Sequence, residues 1–312
     1  MSKEKQYRYS EIFRSIQGEG EYTGVPTAWI RLWGCNFECA GFSQKNLDDR
    51  STWELPYLDF DPKSIIAVEQ LPVWHTGCDS SYSWAKQFRH LAHINTVPGI
   101  VDKITDVLKS PWNPTGTFLH EKSKQEQHMA FTGGEPMMSQ VAMQSIMQEF
   151  ADRKNAPRFV TVETNGSLPI ADELANFIRE KFYTSEDFGG IVQDERGTPE
   201  WFWSVSPKLR SSGEKWEDAI KPEVLAGYSD ASDRGQLKFV VDGTERTWYE
   251  VDKAVAAFRE EGIYWPVTIM PVGADLEGQN DVAATICDQT QDRGFNFSGR
   301  LHVYVYGNSI GR

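Results

Sequence analysis

Short runs rich in β-branched and aromatic residues recur along the chain, at Thr27–Trp33, His128–Phe131, Phe159–Glu163, Trp201–Val205, Leu237–Val241, Val267–Met270 and Leu301–Val305. Their length and near-continuous apolarity predict buried strands. Segments with apolar positions at helical spacing alternate with them, at Ile100–Leu108, Ala142–Arg153, Asp172–Lys181, Trp248–Glu261 and Val282–Arg293. Alternation of this kind predicts an α/β fold with a parallel sheet, open or curled into a partial barrel. Two stretches break the pattern: about 42–76, polar and rich in Asp and Trp, and about 183–200, acidic with glycines. Both are expected to be surface insertions in one domain spanning 1–312.

Ligands of such folds gather where strands give way to loops at the carboxyl edge of the sheet. The loops predicted there are Gly34-Cys35, Thr132-Gly133-Gly134-Glu135-Pro136, Thr164-Asn165-Gly166 and Ser206-Pro207-Lys208. Gly, Pro and Asn are also ordinary turn formers. Four polar loops on one edge nevertheless favour a shared site.

Composition narrows the function. With 312 residues, 39% hydrophobic and 25% charged, the chain can bury a full core, and a formal charge of −13 disfavours loose binding to polyanions such as nucleic acids. The start of the chain, Met1 to Tyr9, lacks the apolar segment of a secretory signal, and no stretch is apolar enough to span a bilayer, so a cytoplasmic protein with no membrane partner is expected. Four cysteines do not make a disulfide framework in a chain of this length. Cys35 and Cys39 form a C-x3-C pair just after a predicted strand, which alone fits packing residues or half a zinc site as well as an iron-sulfur ligand set.

The surroundings of that pair carry more. Gln17-Gly18-Glu19-Gly20, Arg31-Leu32-Trp33-Gly34-Cys35-Asn36, Cys78-Asp79-Ser80-Ser81-Tyr82-Ser83-Trp84, Thr132-Gly133-Gly134-Glu135-Pro136, Glu163-Thr164-Asn165-Gly166, Ser206-Pro207-Lys208 and Arg300-Leu301-His302-Val303 occur in this order. As a set they resemble the 7-carboxy-7-deazaguanine synthases, radical S-adenosylmethionine enzymes, from near the first residue to the last. That family carries C-x3-C-x2-C, three thiolates on a 4Fe-4S cluster. Here Phe42 stands where the third cysteine belongs, and the next, Cys78, comes only after the 38 residues 40–77. The sequence after Cys78 resembles the family's stretch just beyond the third ligand, which makes 42–76 an insertion inside the cluster loop. Closing a loop nineteenfold longer costs only about 2.6 kcal/mol. The other candidate, Cys287, sits in a helical pattern and is expected to be a small buried residue.

The resemblance implies a partial (βα) barrel of the radical S-adenosylmethionine type and the ring contraction of 6-carboxy-5,6,7,8-tetrahydropterin to 7-carboxy-7-deazaguanine with loss of ammonia. It places Cys35, Cys39 and Cys78 on the 4Fe-4S cluster and Ser80 on Mg2+. Gly77, Cys78, Asp79, Gly133, Gly134, Glu135, Ser206, Pro207 and Lys208 fall against S-adenosylmethionine. Ile16, Gln17, Gly18, Glu19, Arg31, Thr132, His302 and the terminal Arg312 fall against the pterin, with His302 on a last strand, Leu301–Val305. Independently of the family, Arg31 suits a carboxylate, two bare glycines suit close approach to a zwitterion, and a hydroxyl suits a hard cation. Each also has a plainer role, as salt bridge, turn or surface residue. An electron donor such as flavodoxin and a homodimer are family expectations. Competing readings are an activase-like enzyme of the same superfamily, which would lack the pterin pocket, and a non-catalytic regulatory protein on the same fold.

Overall fold

A computed structural model describes residues 4–184, 188–189, 198–273, 276–307 and 309–311. The chain opens with β1 (Gln6–Ile16) and β2 (Pro26–Leu32), then passes through a single helical turn, α1 (Pro56–Asp59), to β3 (His93–Thr96) and α2 (Val97–Leu108). Strands and helices then alternate: β4 (His128–Gly133), α3 (Gln140–Asp152), β5 (Phe159–Thr164), α4 (Asp172–Ile178) and β6 (Glu200–Val205). The short α5 (Trp216–Ala219) and α6 (Pro222–Ala231) lead to β7 (Gly235–Val241), α7 (Glu245–Glu260) and β8 (Val267–Pro271). Last come α8 (Leu276–Asp292), β9 (Asn296–Phe297) and α9 (Leu301–Tyr306).

Nine strands form one sheet in the order β3-β1-β2-β4-β5-β6-β7-β8-β9. From β2 to β9 every neighbour is parallel, as short runs separated by helical segments predict. β1 and β3 add an antiparallel edge that the apolar pattern did not announce, because β1 (QYRYSEIFRSI) is largely half-buried and polar. Among the described residues β3 and β9 do not pair with each other, so the sheet stays open.

Successive strand residues point to opposite faces. On one face Ile30, Phe131, Val162, Trp203, Phe239 and Ile269, all fully buried, join the helices in the main core. α2 meets this face with Ile100, Val101, Ile104 and Leu108, and Thr96 caps it by accepting from the Gly99 N–H. Burying each such side chain is worth about 1.5–3 kcal/mol. The other face is unlike a core: Arg31, Thr132, Glu163 and Lys238 line a cavity there.

Residues 42–76 carry only short helical turns. Tyr57, Val68, Leu71 and Trp74 pack with Tyr82, Phe88 and Leu91 into a second, separate core. The stretch leaves and returns at one point, because the Gly77 N–H donates to the Phe42 carbonyl at 2.9 Å. Of the other expected insertion, 183–200, residues 185–187 and 190–197 lie outside the described residues.

Two expectations are corrected. Leu301–Val305 is not a strand but part of α9, ended by Gly307 in a left-handed conformation. The run is too short for period alone to decide, and the neighbouring place beside β8 is taken by β9. Cys287 lies on α8 as expected but is only half-buried, its sulfur beside the Gln291 amide.

Candidate active site

The loop after β1 turns inward from the amino edge of the parallel strands. Below it Tyr22 packs against His128 and Phe202 and donates to Glu200, plugging the bottom of the curled sheet. Two hydrogen bonds tie this loop to the segment after β9: Gly20 N–H to Ser298 Oγ at 2.8 Å and Leu301 N–H to the Gly18 carbonyl at 2.8 Å. The loop therefore forms a floor and bridges the open side of the sheet. Above it is a cavity of about 320 Å³, within the range of small-molecule sites.

One wall is charged. Lys238, 3% exposed, donates to Glu19 at 2.8 Å and Glu163 at 2.7 Å; Arg300 donates to Glu19 at 3.0 Å and to Asp79 at 3.0 Å. Burial alone would raise the Glu19 carboxyl, but Lys238 and Arg300 overcome it and hold the group well below the usual carboxylate range. Burial likewise opposes charge on Lys238, and Glu163 and Glu19 reverse the effect. Gln17 donates its amide to Glu163 at 2.9 Å and accepts from the Glu19 N–H. Arg31 spends its Nε on Glu11 at 2.6 Å, a carboxylate also reached by Tyr82, and turns Nη1 to Ser80 at 3.3 Å. His302 rests directly on Gly18, where an added methyl would stand 1.8 Å from its Nδ1. Burial, then Arg300, push this imidazole down to about 4, so it is neutral near pH 7.

The opposite wall holds the cysteines. Cys35, Cys39 and Cys78 line the cavity together with Lys208, and pack around Phe37 and Ala219. Burial pushes the Cys35 thiol up to about 12 and Cys78 to about 11, and Cys39 well above its ordinary value. The Phe37 N–H donates to Cys35 Sγ at 3.4 Å and the Trp84 indole to Cys78 Sγ at 3.5 Å. Beside them Gly133 and Gly134 present bare backbone, a methyl on Gly134 falling 2.2 Å from the Gly34 carbonyl. The Asn165 amide of the β5 loop donates to Asn36 Oδ1 of the cysteine loop at 3.0 Å.

The fold thus brings Ile16, Gln17, Gly18, Glu19, Arg31, Thr132 and His302 to one cavity with Gly77, Cys78, Asp79, Ser80, Gly133, Gly134, Ser206 and Lys208. Two expected contacts do not reach it. The Glu135 carboxylate is buried as a strut, accepting from Thr164, Asn165 and Met137, and Pro207 is buried outside the lining. Arg312 lies outside the described residues. Sequence reasoning missed Glu163, Lys238 and Arg300. A lysine inside the apolar run Leu237–Val241 was the available signal, since a charge there needs a partner inside the sheet.

No family model matches the chain. Over 100% of both chains it is 25% identical to 7-carboxy-7-deazaguanine synthase of Pyrobaculum aerophilum. The enzyme of the same name from Escherichia coli is 47% identical over 49 residues, 16% of this chain and 20% of that one. The crystal structure of QueE from Escherichia coli matches with a TM-score of 0.51 and 20% identity over 95% of each chain, a likeness of fold. Along its full length, then, the chain is similar to 7-carboxy-7-deazaguanine synthases at 23–25% identity, and its fold agrees with that of QueE.

Proposed function

We propose that this chain contracts 6-carboxy-5,6,7,8-tetrahydropterin to 7-carboxy-7-deazaguanine with loss of ammonia, using a 4Fe-4S cluster and S-adenosylmethionine. The observation that carries the reading is one cavity with three cysteines on one wall and a fixed charged array on the other.

The donor set fits a cluster. Cys35, Cys39 and Cys78 share one wall of the cavity, and thiolates are the ligands that such clusters take. Buried thiols with raised proton affinity become thiolates only beside a strong positive charge, which the irons supply. Cys35, Cys39 and Cys78 would hold the cluster. Gly133, Gly134, Ser206 and Lys208 would receive the amino acid part of S-adenosylmethionine, backbone groups meeting its ammonium and the Lys208 cation its carboxylate. When bound, the two groups together supply a 5′-deoxyadenosyl radical able to abstract hydrogen from carbon.

The rest falls to the chain. Arg31, held at Nε by Glu11 and at Nη1 by Ser80, turns its remaining Nη2 to the substrate carboxylate. Gln17, Glu19 and Glu163 offer acceptors, and Lys238 a donor, to the edge of a flat ring, while neutral His302 offers one nitrogen of either kind. Because these groups are fixed by one another, the reacting carbon is oriented without reorganisation, and the floor formed by the β1 loop limits water. Ser80 Oγ and the Asp79 carboxylate, 3.1 Å apart, are oxygen donors suited to Mg2+. With Arg31 and Arg300 beside them, anionic substrate oxygens would complete that site. A glycyl-radical activase has no use for such an array, which favours the pterin reading.

The same reading includes a single domain with 42–76 inserted in the cluster loop, a flavodoxin-like electron donor, a homodimer and a cytoplasmic setting. No helix among the described residues is long and apolar enough to cross a membrane. The test is anaerobic reconstitution and then assay with the tetrahydropterin, Mg2+, reductant and S-adenosylmethionine, with product detected by mass. Wild-type protein should bind four irons and form the deazaguanine. Cys78→Ala should lose the cluster and Cys287→Ala keep it. Retention of a full cluster in C78A, or cofactor cleavage without ring contraction, would overturn the assignment.

A further inference from the structure

The cluster loop is gripped from outside by the turn after β6. Cys39 has φ 49°, in the left-handed region that is costly for a residue with a side chain. A conformation of that kind persists only where surrounding contacts enforce it. Glu214 supplies them: its Oε1 accepts from the Glu38 N–H at 3.0 Å and the Cys39 N–H at 2.8 Å. The next turn is fixed as well, the Gly41 N–H donating to the Ser212 carbonyl at 2.8 Å. Gly41 lies so close that a methyl on it would stand 2.5 Å from the Gly213 nitrogen. Ser212 Oγ in turn accepts from the Glu214 N–H at 3.2 Å, setting the carboxylate.

Neither cofactor nor substrate binding uses Glu214, which does not line the cavity. We infer that Glu214 is a positioning residue for the iron-sulfur cluster, its Oε1 holding the backbone of Cys39 in the form that presents the thiolate to the irons. The inference rests on the cluster reading under Proposed function. Because one oxygen accepts both N–H groups, a glutamine can keep both bonds while removing the charge. A carboxylate near the cluster also disfavours its reduction, so the two roles separate experimentally.

The experiment compares full-length wild type, Glu214→Ala and Glu214→Gln after anaerobic reconstitution. It reads iron per chain, the rate at which a ferrous chelator strips the cluster, its midpoint potential, and the melting of the iron-free proteins. Expected are about tenfold faster stripping in E214A, the size lost with charge-assisted hydrogen bonds, near-wild-type retention in E214Q, and a higher potential in E214Q. The iron-free forms should melt alike. Wild-type stripping in E214A would overturn the inference, as would equal loss in E214Q, or a fall in iron-free melting large enough to account for the loss. A wild-type protein that takes up no iron would instead overturn the cluster reading.

Discussion

Replacing Lys238 by Met removes an ammonium while keeping most of the side chain's length, and so isolates the charge at the centre of the substrate wall. Lys238 is 3% exposed and stands 2.8 Å from Glu19 and 2.7 Å from Glu163. At an effective dielectric of about 20, each contact is worth about 6 kcal/mol of attraction, most of it offset by desolvation of the ions. Removing one partner of a buried pair costs about 3–5 kcal/mol because the other charge stays buried and uncompensated. Glu19 keeps Arg300 at 3.0 Å and Glu163 keeps the Gln17 amide at 2.9 Å, which sets the expectation at about 3 kcal/mol. Urea unfolding of the iron-free chain under reductant measures it, as a lower midpoint at an unchanged slope. The double variant K238M/E163Q no longer buries that carboxylate and should recover about half of the loss. A K238M midpoint indistinguishable from wild type would refute the reasoning, since the carboxylates would then be hydrated or protonated in its absence.

Two further outcomes are expected. His128, 6% exposed, is pushed by burial to about 4. Between its unfolded value near 6.5 and about 4 the unfolded chain takes up a proton that the folded chain refuses, so stability falls as pH drops through that window and levels off below it. The loss is about 3 kcal/mol for this residue, and H128N should flatten the pH dependence of the urea midpoint; an unchanged slope would remove His128 as its source. At the floor, Gly18→Ala drives a methyl into His302 and should raise the KM for the tetrahydropterin about tenfold with iron content intact. An unaltered KM would mean that this ring does not border the substrate.

How far each element was legible in the sequence depends on its physics. Strands β4 to β8 were legible because their outward residues must be apolar to meet helices, and the glycine-rich loops after them because turns restrict residue choice. β1 was not, since an antiparallel strand next to the edge of the sheet and largely half-buried needs no apolar run. α9 was mistaken for a strand because six residues contain too few periods to distinguish the two, and its companion His302 reaches the cavity from a helix instead. That Cys78 lies beside Cys35 and Cys39 was legible only through the residues just beyond it. Lys238 left a mark, a charge inside an apolar run, but its partner Glu163 on β5 cannot be read from β7 alone, so the ion pair escaped. Glu214 is hidden for the same reason, its partners being backbone groups 175 and 176 residues away.

The hydrogen bond between Gly77 and Phe42 makes the excursion between them a pendant with a closed stem. Its two ends are thereby held together whatever the length of chain between them, so a change of length in its exposed turns need not move Cys39 and Cys78 apart. A cysteine motif scored by its gaps alone will therefore overlook enzymes of this build, and searches should anchor on the residues flanking each thiol.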